Sequence, residues 1–124
     1  MAKKVRVLIA DDHALFAEAL EAILTIDTRI QVVGRARDGR EAVALAEQLD
    51  PNVVLMDIAM PLLDGIEAAR KLSTSRPNTS VLMLTGSNAR ADVARARRAG
   101  VAGYVTKDRI AAELIDAILE VASR

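Results

Sequence analysis

The run Val53-Val54-Leu55-Met56-Asp57 decides how this chain is read. Four apolar residues follow one another with no polar residue alternating among them, the pattern of a strand buried on both faces of a parallel sheet. The run then stops on a carboxylate. Similar short runs rich in β-branched residues occur at Val5–Ala10, 31–35, Ser80–Thr85 and Gly103–Thr106. Between them the apolar residues take helical spacing. Phe16, Leu20, Ile23 and Leu24 share one face of the first such segment. Ala42, Leu45, Ala46 and Leu49 share one in the second, with Pro51 just beyond, and Ile110, Leu114, Ala117, Ile118 and Val121 line the last. Gly65–Ser75 is less regular. Residues 88–99 are the weakest helix, with mostly alanine at the apolar positions, Arg90, Arg95, Arg97 and Arg98 crowding it, and Gly100 as a stop. The pattern is (βα) five times over, which predicts an α/β fold with a doubly wound, five-stranded parallel sheet and helices on both faces.

Composition agrees with one globular domain spanning residues 1–124. The chain has 124 residues, 52% hydrophobic and 27% charged, enough for a core without staples. It has no cysteine, which excludes disulfides and thiolate metal sites. Lys plus Arg and Asp plus Glu number 17 each, so the domain lacks the basic excess of a nucleic-acid binder. No apolar run approaches a membrane span, and the start Met-Ala-Lys-Lys-Val has no secretory h-region, so cytoplasmic location without membrane association is expected.

Ligands of open α/β sheets bind at the carboxyl ends of the strands. Here those ends carry Asp11-Asp12, Asp57, Thr85 and Thr106-Lys107. Three carboxylates packed together repel unless a cation sits among them, and hard oxygen ligands suit Mg²⁺. A metal beside a carboxylate, faced by an ammonium and a hydroxyl, is a phosphoryl-transfer site: cations neutralise the equatorial oxygens and the carboxylate is the nucleophile. Taken singly, Asp12 reads as a helix cap, Thr85 as a strand-end hydroxyl and Lys107 as a solvated charge. Their coincidence at four strand ends favours function.

At this point the residues resemble a known family. Val7-Leu8-Ile9-Ala10-Asp11-Asp12-His13, Val54-Leu55-Met56-Asp57-Ile58-Ala59-Met60-Pro61, Asp64-Gly65 and Gly103-Tyr104-Val105-Thr106-Lys107-Asp108 are similar to response-regulator receiver domains. Ala-Asp-Asp-His, and Val32-Val33-Gly34-Arg35-Ala36 followed by Asp38-Gly39, most resemble the NarL/FixJ subfamily. The resemblance covers essentially the whole chain. It implies a flavodoxin- or CheY-like sheet of order 2-1-3-4-5. It implies that Asp57 takes a phosphoryl group from a sensor histidine kinase or a small phosphodonor. Mg²⁺ (or Mn²⁺) would be held by Asp12 directly, Asp11 mainly through water, Asp57, and the backbone carbonyl of Ala59. Lys107 would pair with one phosphoryl oxygen and Thr85 would swing to another, with Tyr104 turning inward behind it, a two-state switch. The domain would catalyse its own phosphorylation and slow dephosphorylation without being a dedicated enzyme.

His13 reads as neither a ligand nor a phosphoacceptor but as a surface or capping residue. Pro61 and Gly65 are expected to shape the loop after Asp57, since proline fixes φ and glycine permits unusual backbone angles. Many receivers have proline after the lysine, joined by a cis bond. Here Asp108 follows, and a non-proline cis bond costs about 3–4 kcal/mol, so a trans bond is expected. Gly86 is expected to loosen the start of the fourth helix. Ala59 and Ser87 occupy positions that tune hydrolysis in the family, and neither offers an acid or amide to orient water, so a long-lived phospho-Asp57 is expected.

The resemblance also implies an N-terminal half of a transcription regulator, with DNA bound by a LuxR-type helix-turn-helix domain and not by this one. It implies homodimerisation on phosphorylation through the arginine-rich fourth helix with the fifth strand and helix, or through the first and fifth helices. Three competing readings stand beside it. An aspartate-nucleophile phosphatase would want a second Asp where Ala59 stands. A nucleotide- or flavin-binding domain would want a glycine-rich first loop, where Asp11-Asp12-His13 stands instead. A phosphorylation-independent docking module would not need the full set of groups present.

Overall fold

The computed structural model describes residues 3–86 and 90–124. Five strands, β1 (Val5–Ala10), β2 (Ile30–Ala36), β3 (Val53–Asp57), β4 (Ser80–Thr85) and β5 (Gly103–Thr106), alternate with five helices. The helices are α1 (Ala14–Ile26), α2 (Gly39–Leu49), α3 (Gly65–Ser75), α4 (Arg90–Arg98) and α5 (Ile110–Ala122), the last preceded by a short 3-10 turn over Lys107–Arg109. The strands form one parallel sheet in the order β2-β1-β3-β4-β5, as the resemblance implied. Both Ser87 and the predicted helix start at Asn88 lie outside the described residues.

The unbroken apolar runs are explained by two cores. Val7, Ile9, Val53, Leu55, Leu82 and Leu84 face α1 and α5, where Leu20, Leu24, Leu114 and Ile118 meet them. Their alternates Leu8, Ala10, Val54, Met56, Val81 and Met83 face α2, α3 and α4, against Ala42, Ala46, Ile66, Leu72 and Ala96. A strand with a core on each side has no polar face, which is why period-two alternation is missing.

α3 is better built than its sequence suggests. The Asp64 side chain accepts a hydrogen bond from the Glu67 N–H at 2.9 Å, capping the first turn, and Ile66, Ala68, Ala69 and Leu72 are buried. Asp38 caps α2 in the same way through Glu41 N–H, at 2.8 Å. Among the described residues no helix is long and apolar enough to cross a membrane.

Candidate functional site

The register of the central strands brings the predicted groups to one rim. Ala10 pairs with Met56, so Asp11 and Asp57, each next in its chain, end side by side. The Asp11 N–H donates to the Ala36 carbonyl at 3.0 Å, prolonging the β1–β2 ladder by one residue and fixing that carboxylate. Thr85 is buried and pairs in register with Thr106, and Lys107 follows at once.

Asp11 and Asp57 are buried charges. The Lys107 Nζ lies 3.6 Å from Asp57 Oδ2 and 3.7 Å from Asp11 Oδ2, an ammonium between two carboxylates. It also sits 4.5 Å from the centre of the Phe16 ring, whose face holds the cation over α1. Phe16 was legible only as one apolar position of that helix; its partnership with Lys107 needs the fold. The Lys107–Asp108 bond is trans, as expected.

Neither Asp11 Oδ2 nor Asp57 Oδ2 has a hydrogen-bond partner among the described residues. Buried carboxylate oxygens left this way are costly unless a cation meets them. Burial first, and then the neighbouring Asp11 carboxylate, push Asp57 above its ordinary value of 3.8. The Lys107 ammonium and the Ala59 backbone N–H pull the other way, and Asp12 adds a further upward push. One donor atom from each of Asp11, Asp12, His13 and Asp57 lies within 4.8 Å of the others. The donor set therefore fits a small divalent cation.

The loop after Asp57 folds back on it. The Gly65 N–H donates to the Ile58 carbonyl at 2.9 Å. A Cβ on Gly65 would stand 2.0 Å from the Asp57 carbonyl oxygen, and one on Gly39 would stand 1.8 Å from the Leu63 carbonyl oxygen. Gly65 is therefore required by close approach and not by an unusual backbone angle; positive φ falls instead on Leu62, at 68°. At Gly86 a Cβ would meet none of the described residues within 4 Å, so none of them demands a glycine there.

His13 and Tyr104 are both exposed. His13 occupies the N-cap position of α1, but its side chain caps nothing. Its ring turns back, with Nδ1 3.3 Å from both Asp11 Oδ1 and Asp12 Oδ1. Tyr104 lies two residues before Thr106 on β5 with 39% of its surface exposed, outside the acidic cluster and not turned inward.

A family model described as the response regulator receiver domain matches residues 7–119. The chain is 43% identical over 115 residues to the transcriptional regulatory protein YxjL of Bacillus subtilis, covering 93% of this chain and 53% of that protein. It is 39% identical over 119 residues to the transcriptional regulatory protein DegU of Brevibacillus brevis, covering 96% of this chain and 50% of that protein. The chain thus spans about half the length of the curated relatives it matches. Among solved structures, the signal receiver domain of the response regulator NarL from Mycobacterium tuberculosis superposes with a TM-score of 0.94 at 35% identity, covering 98% of each chain. The response regulator domain of Thermotoga maritima CheB gives 0.92 at 33% identity, also covering 98% of each. With the sheet order, the paired strand ends and these matches all in agreement, the chain belongs to the response regulator receiver domain family.

Proposed function

We propose that Asp57 is the phosphoacceptor of this receiver and that Asp11, Asp12, Asp57 and the Ala59 carbonyl hold Mg²⁺ or Mn²⁺. The observation that carries the reading is the Lys107 ammonium 3.6 Å from a buried Asp57 oxygen that has no hydrogen-bond partner among the described residues. An Asp57 oxygen attacks phosphorus, the new P–O bond forms, and the P–N bond of a phosphohistidine on a sensor kinase breaks, its electron pair returning to the imidazole. The bound cation supplies charge neutralisation for the phosphoryl oxygens. Lys107, seated over the Phe16 ring, supplies a positive charge beside the same oxygens. The Ala59 N–H orients the Asp57 carboxylate. Thr85, buried on the adjoining strand end, donates its hydroxyl to a phosphoryl oxygen, and Tyr104 moves from its exposed position as Thr85 shifts. The reaction is the domain's own modification and slow reversal, with no turnover of an external substrate.

The match to about half of several transcriptional regulatory proteins supports a regulatory half whose DNA-binding partner domain lies elsewhere in a longer cytoplasmic protein. Arg95, Arg97 and Arg98 on α4, with β5, offer the surface on which phosphorylation is communicated or a homodimer forms. The test is incubation with Mg²⁺ and acetyl phosphate followed by intact mass. One phosphoryl gain, lost in Asp57→Asn, is the expected result. No gain in a folded, Mg²⁺-binding sample would overturn the reading and leave a docking module.

A further inference from the structure

The phosphoryl-transfer reading makes no use of His13, yet its ring stands at the mouth of the acidic cluster. Its backbone N–H donates to Asp11 Oδ1 at 2.8 Å, which ties the residue to the metal-facing carboxylate. Its Nδ1 lies 3.3 Å from one oxygen of Asp11 and 3.3 Å from one oxygen of Asp12. The side chain is 68% exposed and makes no capping bond, so its orientation is set by the Asp11 and Asp12 oxygens that Nδ1 faces, Asp11 Oδ1 being within hydrogen-bond reach at 3.3 Å.

Independent of the ring, two oxygens point to a ligand: Oδ2 of Asp11 and Oδ2 of Asp57, on side chains 0% and 5% exposed, have no hydrogen-bond partner among the described residues, and the single Lys107 ammonium at 3.7 and 3.6 Å leaves the three carboxylates short of positive charge. Donors bonded to a small cation at about 2.0–2.2 Å stand roughly 3 Å apart when adjacent and roughly 4.3 Å apart when opposite. The 4.8 Å spread of the Asp11, Asp12, His13 and Asp57 donors lies close to that range.

We infer that His13 Nδ1 is a further ligand and makes this receiver select late first-row transition ions over Mg²⁺ more strongly than its carboxylates alone would. The inference rests on the reading that the acidic cluster binds a divalent cation. Its chemistry is that of the donor: imidazole suits Co²⁺, Ni²⁺ and Zn²⁺, whereas Mg²⁺ keeps oxygen ligands and water. An all-oxygen site already ranks these ions, so the diagnostic is the change in selectivity when the nitrogen is removed. The sequence makes that test clean, because His13 is the only histidine and there is no cysteine.

The experiment titrates the untagged chain with MgCl₂ and with CoCl₂ by calorimetry, for wild type, His13→Ala and His13→Asn. Urea unfolding of each metal-free protein checks the fold. His13→Ala and His13→Asn should weaken Co²⁺ binding by about tenfold or more while Mg²⁺ binding stays within about threefold, since the one nitrogen donor is lost for one ion only. The cobalt-loaded wild type should also show the large contact shift of a directly bonded imidazole, which only His13 can supply; a small through-space shift alone overturns ligation. An unchanged Co²⁺-to-Mg²⁺ ratio, or equal losses for both ions, overturns the inference. If Mg²⁺ still binds and supports phosphoryl uptake in that case, the phosphoacceptor reading survives. If neither ion binds wild type, both fall.

Discussion

Replacing Gly65 by alanine tests how the fold holds the proposed phosphoacceptor in place. The added Cβ would meet the Asp57 carbonyl oxygen at 2.0 Å, its carbon at 2.9 Å and the Ile58 Cα at 3.0 Å, all backbone atoms that no rotamer change can move. Real Cβ contacts essentially do not fall below 3.0 Å, so α3 and the end of β3 must separate by about 1 Å, an overpacking that costs about 1–3 kcal/mol or somewhat more. Alanine's better helix propensity returns at most about 1 kcal/mol, and less at a first helical residue. A net loss of about 2 kcal/mol follows. With about 0.05–0.15 kcal/mol per residue, a chain of 124 residues has enough stability to remain folded. The urea midpoint should fall by about 1 M at a slope near 2 kcal/mol per M. The functional consequence is larger, because a misplacement of about 1 Å at a reacting group costs about a hundredfold in rate. Phosphoryl uptake from acetyl phosphate, followed by intact mass, should slow to that degree. Gly86→Ala is the control: its Cβ meets none of the described residues within 4 Å, so stability should be unchanged or rise by about 0.4–1 kcal/mol. A Gly65→Ala protein with an unshifted midpoint and uptake within twofold of wild type would refute the reasoning.

Three further outcomes are expected. Asp57→Asn should stabilise the metal-free protein at neutral pH. The Asp57 carboxyl is raised in the folded state by burial and Asp11, so the folded form binds more protons between its ordinary value of 3.8 and the raised one, and stability falls as pH rises through that window. The gap between variant and wild type should therefore close on acidification towards 3.8, which urea titrations across pH in chelator would read; a gap that widens on acidification would contradict the assigned cause. Mg²⁺ should raise wild-type stability by about 1.4 kcal/mol at ten times its Kd, and this gain should vanish in Asp12→Asn when melts are compared. Phosphorylated protein freed of donor should lose its phosphoryl group over minutes or longer, since Ala59 offers no acid or amide to orient water; loss within seconds by timed mass spectrometry would count against it.

What the sequence carried and what it withheld divide along a physical line. β1, β3, β4 and β5 were legible to the residue because buried parallel strands are written as unbroken apolar runs, and Asp11, Asp57, Thr85 and Lys107 could be grouped because strand ends converge. β2 runs one residue further at each end than its pattern suggested, since Ile30 and Ala36 pair with Val5 and Ala10 by backbone hydrogen bonding, which side-chain pattern does not record. Phe16 beneath Lys107 and the ring of His13 against two carboxylates join residues by angle and distance across a turn, and no spacing rule encodes that. Gly65 was legible as important for the wrong reason: its identity reflects a carbonyl 2.0 Å from where a Cβ would stand.

The same contact links the fold to the switch. Asp57 ends β3 and cannot move its backbone without displacing α3 at Gly65, and the intervening loop is pinned at Leu63 by the backbone of Gly39 on α2. The β3 side of the site is therefore held rigidly. On the other side, Lys107 reaches the carboxylates through a long, half-buried side chain from a 3-10 turn, and a Cβ on Gly86 would meet none of the described residues within 4 Å. A charge added at Asp57 meets a fixed nucleophile and adjustable partners, so the conformational response should run towards β4, β5 and α4, where Tyr104 and the arginines lie, and not towards α2 and α3. Amide hydrogen exchange before and after phosphorylation would separate the two directions: altered protection confined to α2 and α3 would reverse this assignment of rigid and mobile sides.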